Sequence, residues 1–145
     1  MKKLTTISAA LLLSFSTISF GASINSMNKD QTTQALQDKT IKTASLSTID
    51  DKVVDNSFTG YFGKDGKIKG TFAKKPAKEP QSDEGTWMVK DDGSFCVTWK
   101  HWNHVKPLCI ATYQVSNGLI FINSDSNEFV SLALLDGIKS GNQMH

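Results

Sequence analysis

Arginine is absent from the 145 residues, although lysine is plentiful. With it goes the planar guanidinium that grips phosphates and guanine edges through two parallel hydrogen bonds, so nucleic acid is a poor candidate partner. Cysteine is scarce: Cys96 and Cys109 are the only two, and they lie too far apart for the Cys-x-x-Cys spacing of a redox pair. No Cys follows the apolar segment near the N-terminus, which argues against a lipid anchor. The chain also lacks a Gly-x-Ser-x-Gly elbow, a His-Glu-x-x-His helix and a phosphate-cradling glycine loop. Its closest glycine-rich pieces are hairpin turns.

What is present starts with an export signature. Met1-Lys2-Lys3 is a short basic region, residues 4–20 are mostly apolar and small, and Ser19 and Gly21 offer the small side chains that cleavage requires. The expectation is a signal peptide over 1–21, cut after Gly21, leading to the periplasm or the exterior. An uncleaved anchor is the competing reading, but the segment lacks the flanks of a membrane span, and no stable membrane insertion is expected after cleavage. Two of the 16 Lys lie in this leader, which leaves 14 Lys against 14 acidic residues and a formal net charge near zero. The remaining 124 residues are enough for one domain with one modest core.

The stretch 87–115 organises that domain. It reads as two hairpins in series that share a strand at 94–100, and it holds all three Trp and both Cys. Around the turn Asp91-Asp92-Gly93, a three-residue loop sets Val89 opposite Phe95 and Trp87 opposite Val97, with Gly93 where the chain needs positive φ. The same count on the second hairpin sets Phe95 and Val97 opposite Ile110 and Leu108, and Cys96 opposite Cys109. In an exported chain, facing cysteines in a hairpin predict a structural disulfide.

The flanking segments follow the same grammar. Residues 22–29 are polar and small, a flexible lead. A short helix follows at about 30–38, with Asn28 as its cap and Gln31 three positions on. Alone it is too short to be stable, so it must lie against the sheet, over an open end. Residues 40–48 alternate weakly, an edge-like first strand, and 49–56 form a charged connection in which Val53 and Val54 touch the core. Phe58, Gly60 and Phe62 alternate, as do Ile68, Gly70 and Phe72, and the turn Lys64-Asp65-Gly66 aligns Phe62 with Ile68 and Gly60 with Gly70. Two facing glycines leave a gap for a large neighbour such as a Trp ring, mark a sharp bend, or make room for a ligand. Residues 74–83 form an exposed, Pro-containing loop. The turn at 116–118 admits a two-residue count on Asn117-Gly118 or a three-residue count from Ser116. Residues 119–124 are apolar on both faces and call for cover on both sides, by the helix, by closure into a barrel or by a partner subunit. A last strand spans 127–134, and 137–145 read as a flexible tail.

The fold expected is therefore mainly β: a single curved antiparallel meander sheet, or a small partly closed barrel, over 30–136, with one short N-terminal helix.

For function, the loop 100–106 draws the eye. His101 and His104 lie three apart with Trp102 between them. Two histidines do not make a metal site, since structural zinc takes four protein ligands and catalytic zinc usually three. Asp91, Asp92 and His145 would have to approach them, and the two hairpin turns lie at opposite ends of the shared strand. No metal and no cofactor are expected, and a plain solvated turn is the simpler reading. Trp102 could anchor a protein or glycan surface if exposed, or fold back over the sheet end.

Two function classes follow. One is a binding or accessory module, acting on a small apolar ligand in a pocket lined by Phe58, Phe72, Trp87 and Trp99, or on a protein through the Trp102 loop. The other is a hydrolase, in which Ser94, Thr98 or Tyr113 would have to converge on His101 or His104. Most of the distinctive residues are used to build the sheet, which favours binding.

The Tyr61-Phe62-Gly63-Lys64-Asp65-Gly66 hairpin, the Gly85-Thr86-Trp87 step and the run Asp92-Gly93-Ser94-Phe95-Cys96-Val97-Thr98-Trp99, with Cys109 after it, resemble a family of small exported bacterial proteins of unknown function. A short N-terminal helix and a strand starting Lys39-Thr40-Ile41 complete the pattern, which covers most of the chain after the leader. The resemblance implies an exported, antiparallel β-rich domain and supplies no catalytic residues.

Overall fold

The computed structural model describes residues 24–44, 47–49, 52–54, 57–74 and 80–144, with 47–49 and 52–54 as backbone. The expected signal peptide, the side chains of Val53 and Val54, and His145 lie outside the described residues.

The chain opens with helix α1 (Lys29–Leu36). Asn28 accepts from the Gln31 N–H while the Gln31 side chain accepts from the Asn28 N–H, a reciprocal capping box. The lead before it is docked rather than free. Ser26 bridges to Tyr113, the Met27 N–H donates to the Thr112 carbonyl at 2.7 Å, and the Met27 side chain is buried.

Strands β1 (Lys39–Lys42), β4 (Phe58–Phe62), β5 (Lys67–Phe72), β6 (Ser82–Val89), β7 (Phe95–Trp99), β8 (Leu108–Val115), β9 (Gly118–Asn123), β10 (Phe129–Leu134) and β11 (Ile138–Ser140) form one sheet, ordered β10-β9-β8-β7-β6-β5-β4-β1-β11. A separate hairpin, β2 (Ser47–Ile49) with β3 (Lys52–Val54), follows β1. Every pairing in the large sheet is antiparallel. The sheet curls until its far members meet. Ala44, just past β1, exchanges backbone hydrogen bonds of 2.8 and 3.3 Å with Leu132 of β10. The product is a nearly closed antiparallel barrel with a single N-terminal helix, the more closed of the two forms expected.

The central registers match the turn counts. Val89 faces Phe95, Trp87 faces Val97, Cys96 faces Cys109, and Phe62 and Gly60 face Ile68 and Gly70. Cys96 and Cys109 are joined. Because side chains alternate along a strand, a register that turns Phe95 and Val97 inward turns both cysteines outward, so the bond clips the wall from outside.

Four expectations are corrected. The C-terminal segment is not a loose tail: β11 pairs with β1, the Gly141 N–H donates to the Asp38 carbonyl, and the Gln143 N–H donates to Thr40 Oγ1. The first strand is shorter than 40–48. The loop after β5 ends earlier than residue 83, because Ser82 and Asp83 already belong to β6. The β8–β9 turn uses neither count weighed for it: Val115 pairs with Gly118, so the loop is Ser116-Asn117. Gly118 lies in the sheet, where an added Cβ would stand 2.5 Å from the Ala133 carbonyl oxygen. On β9, closure covers Leu119 and Phe121 from inside, while Ile120 and Ile122 are half-buried among cross-strand neighbours such as Tyr113.

Helix α1 seals one end. Leu36 and Thr32 are fully buried, Thr32 Oγ1 donates to the Gly93 carbonyl at 2.8 Å, and Lys29 pairs with Asp91 at 2.8 Å. Gly93 has φ +86°, and an added Cβ would sit 2.1 Å from the Met27 carbonyl oxygen, so glycine serves both the turn and the seal.

Reduced and non-reduced samples of the protein should differ in intact mass by two hydrogens; two alkylatable thiols in the native protein would contradict the bond. Removing it as Cys96→Ala with Cys109→Ala should cost about 2–4 kcal/mol in chemical denaturation.

Candidate functional site

The barrel interior is divided by a floor of aromatic rings. Phe62, at the helix end of β4, meets Phe95 edge-on at 5.6 Å between ring centres, and Phe95 meets Phe121 at 5.9 Å. Below this floor the space is packed. Trp87 lies against Phe62 at 5.2 Å, and its indole N–H donates to the Gly63 carbonyl at 2.9 Å. Above it lies a cavity of about 210 Å³. Of the residues weighed for a pocket, Phe58, Phe72 and Trp99 stand on its wall. Trp87 does not, since its place on β6 puts it on the packed side of the floor.

The glycine pair makes the hollow. Gly60 and Gly70 face each other on β4 and β5, and the Phe58 ring lies over both: a Cβ on either would stand 2.5 Å from a Phe58 ring carbon. Trp99 also reaches Gly70, at 2.7 Å from such a Cβ. Without these two side chains Phe58 folds back onto the wall. The gap foreseen for a Trp ring is thus filled mainly by a Phe, with Trp99 at its side.

Trp102 closes the rim. It is 3 % exposed and folds back over the sheet end, the second of the two places weighed for it. Its ring centre lies 4.7 Å from Trp99 and 4.8 Å from Phe72, and its indole N–H donates to the Pro80 carbonyl at 2.7 Å. The loop achieves this at a backbone cost. Asn103, His104 and Val105 all have positive φ, at 54°, 52° and 61°. Left-handed backbone costs L-residues roughly 1–2 kcal/mol each, and a β-branched residue such as Val105 is the least tolerant. Burying an indole, about 200 Å² at about 25 cal/mol per Å², offsets about 5 kcal/mol, the same order as three strained residues.

Asp83 holds the loop in place. Its side chain is 1 % exposed. Oδ2 accepts the His101 and Trp102 N–H groups at 2.8 and 2.9 Å, and Oδ1 accepts the Glu84 N–H and His101 Nδ1 at 2.9 Å each. Burial by itself would raise the Asp83 pKa, but the backbone N–H groups of Trp102 and His101, then the His101 ring and the Glu84 N–H, outweigh it and hold the carboxyl below the usual range. Glu84, beside it, is held low by Lys100.

The histidines do not converge on a reacting group. The His101 ring is 66 % exposed and bonded to Asp83, while His104 is exposed on the left-handed turn. Asp83 and His101 resemble the orienting acid and base of a triad, yet no hydroxyl or thiol among the described residues is bonded to the His101 ring. Ser94 bonds Asp92 at the helix end, a strand length away, on the order of 20 Å at about 3.3 Å per residue. Tyr113 sits at that end too, against Ser26, and Thr98 faces Thr86 across the β6–β7 pair. No group of three metal-binding side chains occurs among the described residues.

Two contributors escaped sequence reading. Asp83 carried a usable signal: continuing the inward alternation of Val89, Trp87 and Gly85 backwards lands on it, so a carboxylate was due to face inward at the rim. Ser131 carried one too: it alternates in phase with inward Ala133 and lies opposite inward Phe121, while the β-bulge between Phe129 and Ser131 brings Val130 to the same wall.

Compared with protein-family models, curated proteins and solved structures, the chain matches none.

Replacing Gly70 by Val should lower stability by about 1–3 kcal/mol, and Gly60→Val by less, because only Gly70 meets both Phe58 and Trp99; equal melting of both variants and wild type would remove the contact. Asp83→Ala should cost about 2 kcal/mol or more and shift Trp emission to the red as Trp102 loosens. Since the Asp83 pKa is depressed on folding, its contribution is complete above the unfolded carboxyl's pKa and fades as pH falls through the folded value. Wild type should therefore show an acid-induced emission shift that Asp83→Ala lacks.

Proposed function

We propose that this chain is an exported binding protein that carries a small apolar ligand inside the barrel. One observation carries the reading: an apolar hollow of about 210 Å³ is left above a packed aromatic floor, kept open by a pair of glycines and covered by a buried Trp on a strained loop. A protein that needed only stability would fill that space, since each unfilled volume forfeits packing energy.

Export is supported by the leader-like residues 1–21 and by a disulfide of the kind that persists in oxidising compartments. Periplasm and exterior suit this equally. A hydrolase has only the Asp83–His101 pair in its favour, with no nucleophile beside it among the described residues, and binding is the better-supported function.

The test is a native mass spectrum of the protein purified from the periplasm, followed by the same sample denatured. A small-molecule adduct lost on denaturation is expected, with its mass identifying the cargo. A bare mass, together with unchanged Trp99 and Trp102 emission on adding small apolar molecules, would overturn the reading. A bare dimer mass would move the weight to protein recognition.

A further inference from the structure

The cavity wall specifies more than apolarity, if it is a binding site as proposed above. Its volume is about 210 Å³, below the roughly 300–1,000 Å³ of sites for drug-sized ligands. One ring with a substituent or two fits; a long acyl chain does not. Among the described residues no Lys, Asp, Glu or His lines it. An ionised ligand would enter without a counter-charge, which low-polarity surroundings penalise heavily. The Asp83 carboxylate lies behind Trp102, and its sign opposes a ligand carboxylate. The rings that form floor and rim meet one another edge to face, which leaves both faces and edges for an aromatic guest.

Two hydroxyls break this apolar wall, Thr43 and Ser131. Thr43 Oγ1 is occupied by the Phe58 backbone, at 3.3 Å from both its N–H and its carbonyl. Ser131 is buried, and its side chain makes no hydrogen bond among the described residues. Thr112 Oγ1 is also unpaired, but it does not line the cavity. Among the described residues Ser131 thus differs from the other polar groups of the interior: it is unpaired and it borders the hollow, where regular alternation with Ala133 puts it.

We propose that the ligand is a compact, uncharged aromatic molecule of one ring that carries a hydroxyl, and that Ser131 Oγ hydrogen-bonds that hydroxyl. Ser131 both donates and accepts, so a phenol or a benzylic alcohol satisfies it in either sense.

Calorimetric titration with p-cresol, toluene and p-toluate tests this on the full exported chain. Wild type should bind p-cresol and toluene and show no binding of p-toluate. Ser131→Ala should weaken p-cresol about tenfold, equivalent to about 1.4 kcal/mol, and leave toluene within about twofold. Ser131→Thr should keep most of the p-cresol affinity. An unchanged near-ultraviolet circular dichroism spectrum would show that the Ala variant remains folded, and toluene binding reports the same from inside the cavity. If toluene binds but Ser131→Ala leaves p-cresol unaffected, or if p-toluate binds as tightly as p-cresol, the ligand class is wrong while the cavity reading stands. If neither toluene nor p-cresol binds wild type, the cavity reading fails and this inference with it.

Discussion

Edge-to-face contact among Phe62, Phe95 and Phe121 is the interaction on which the rest of the interior depends. A barrel of this size has more lumen than its aliphatic side chains can fill, and rings placed across it from three strands divide it in two. On the helix side, Trp87, Leu36, Leu119 and Ala133 complete a conventional core. On the other side Gly60 and Gly70 let the Phe58 ring lie against the wall of β4 and β5, with Trp99 beside it. The hollow follows from the sequence placing bulk in one layer and omitting it in the next.

The two ends are closed by different physics. At the helix end, closure is built from short-range pieces that reinforce one another: a capping box, the Thr32 bond to Gly93, and a glycine turn pressed against the lead. At the rim, an apolar ring is held down by one buried carboxylate while the backbone next to it is strained. An element whose favourable and unfavourable terms are of similar size is easier to open than one stabilised throughout. The Trp102 loop is therefore the more easily opened of the two ends.

Much of the architecture was legible because turn chemistry and the two-residue period constrain each other. Gly66 and Gly93 fixed their loops, the loops fixed the registers, and the registers brought Cys96 to Cys109 and Gly60 to Gly70. The reading failed where a residue's surroundings are distant in sequence. Local sequence does not decide between an exposed and a folded-back Trp102, because Phe58, Phe72 and Pro80, which help bury it, lie 22 or more positions away. The C-terminal segment looked like a loose tail because its partner strand β1 lies about 100 residues upstream.

Local periodicity and turn residues, acting within a few positions of one another, determined the strands, the central registers and the disulfide. They also determined that an end must be capped by a helix with Asn28 at its start. Only the tertiary structure decided that the sheet closes, that a cavity remains inside it, that Asp83 and Trp102 form one rim, and that Ser131 borders the cavity. Closure and cavity volume depend on how distant strands meet and on what is missing between them, and neither is a property of any local stretch of chain.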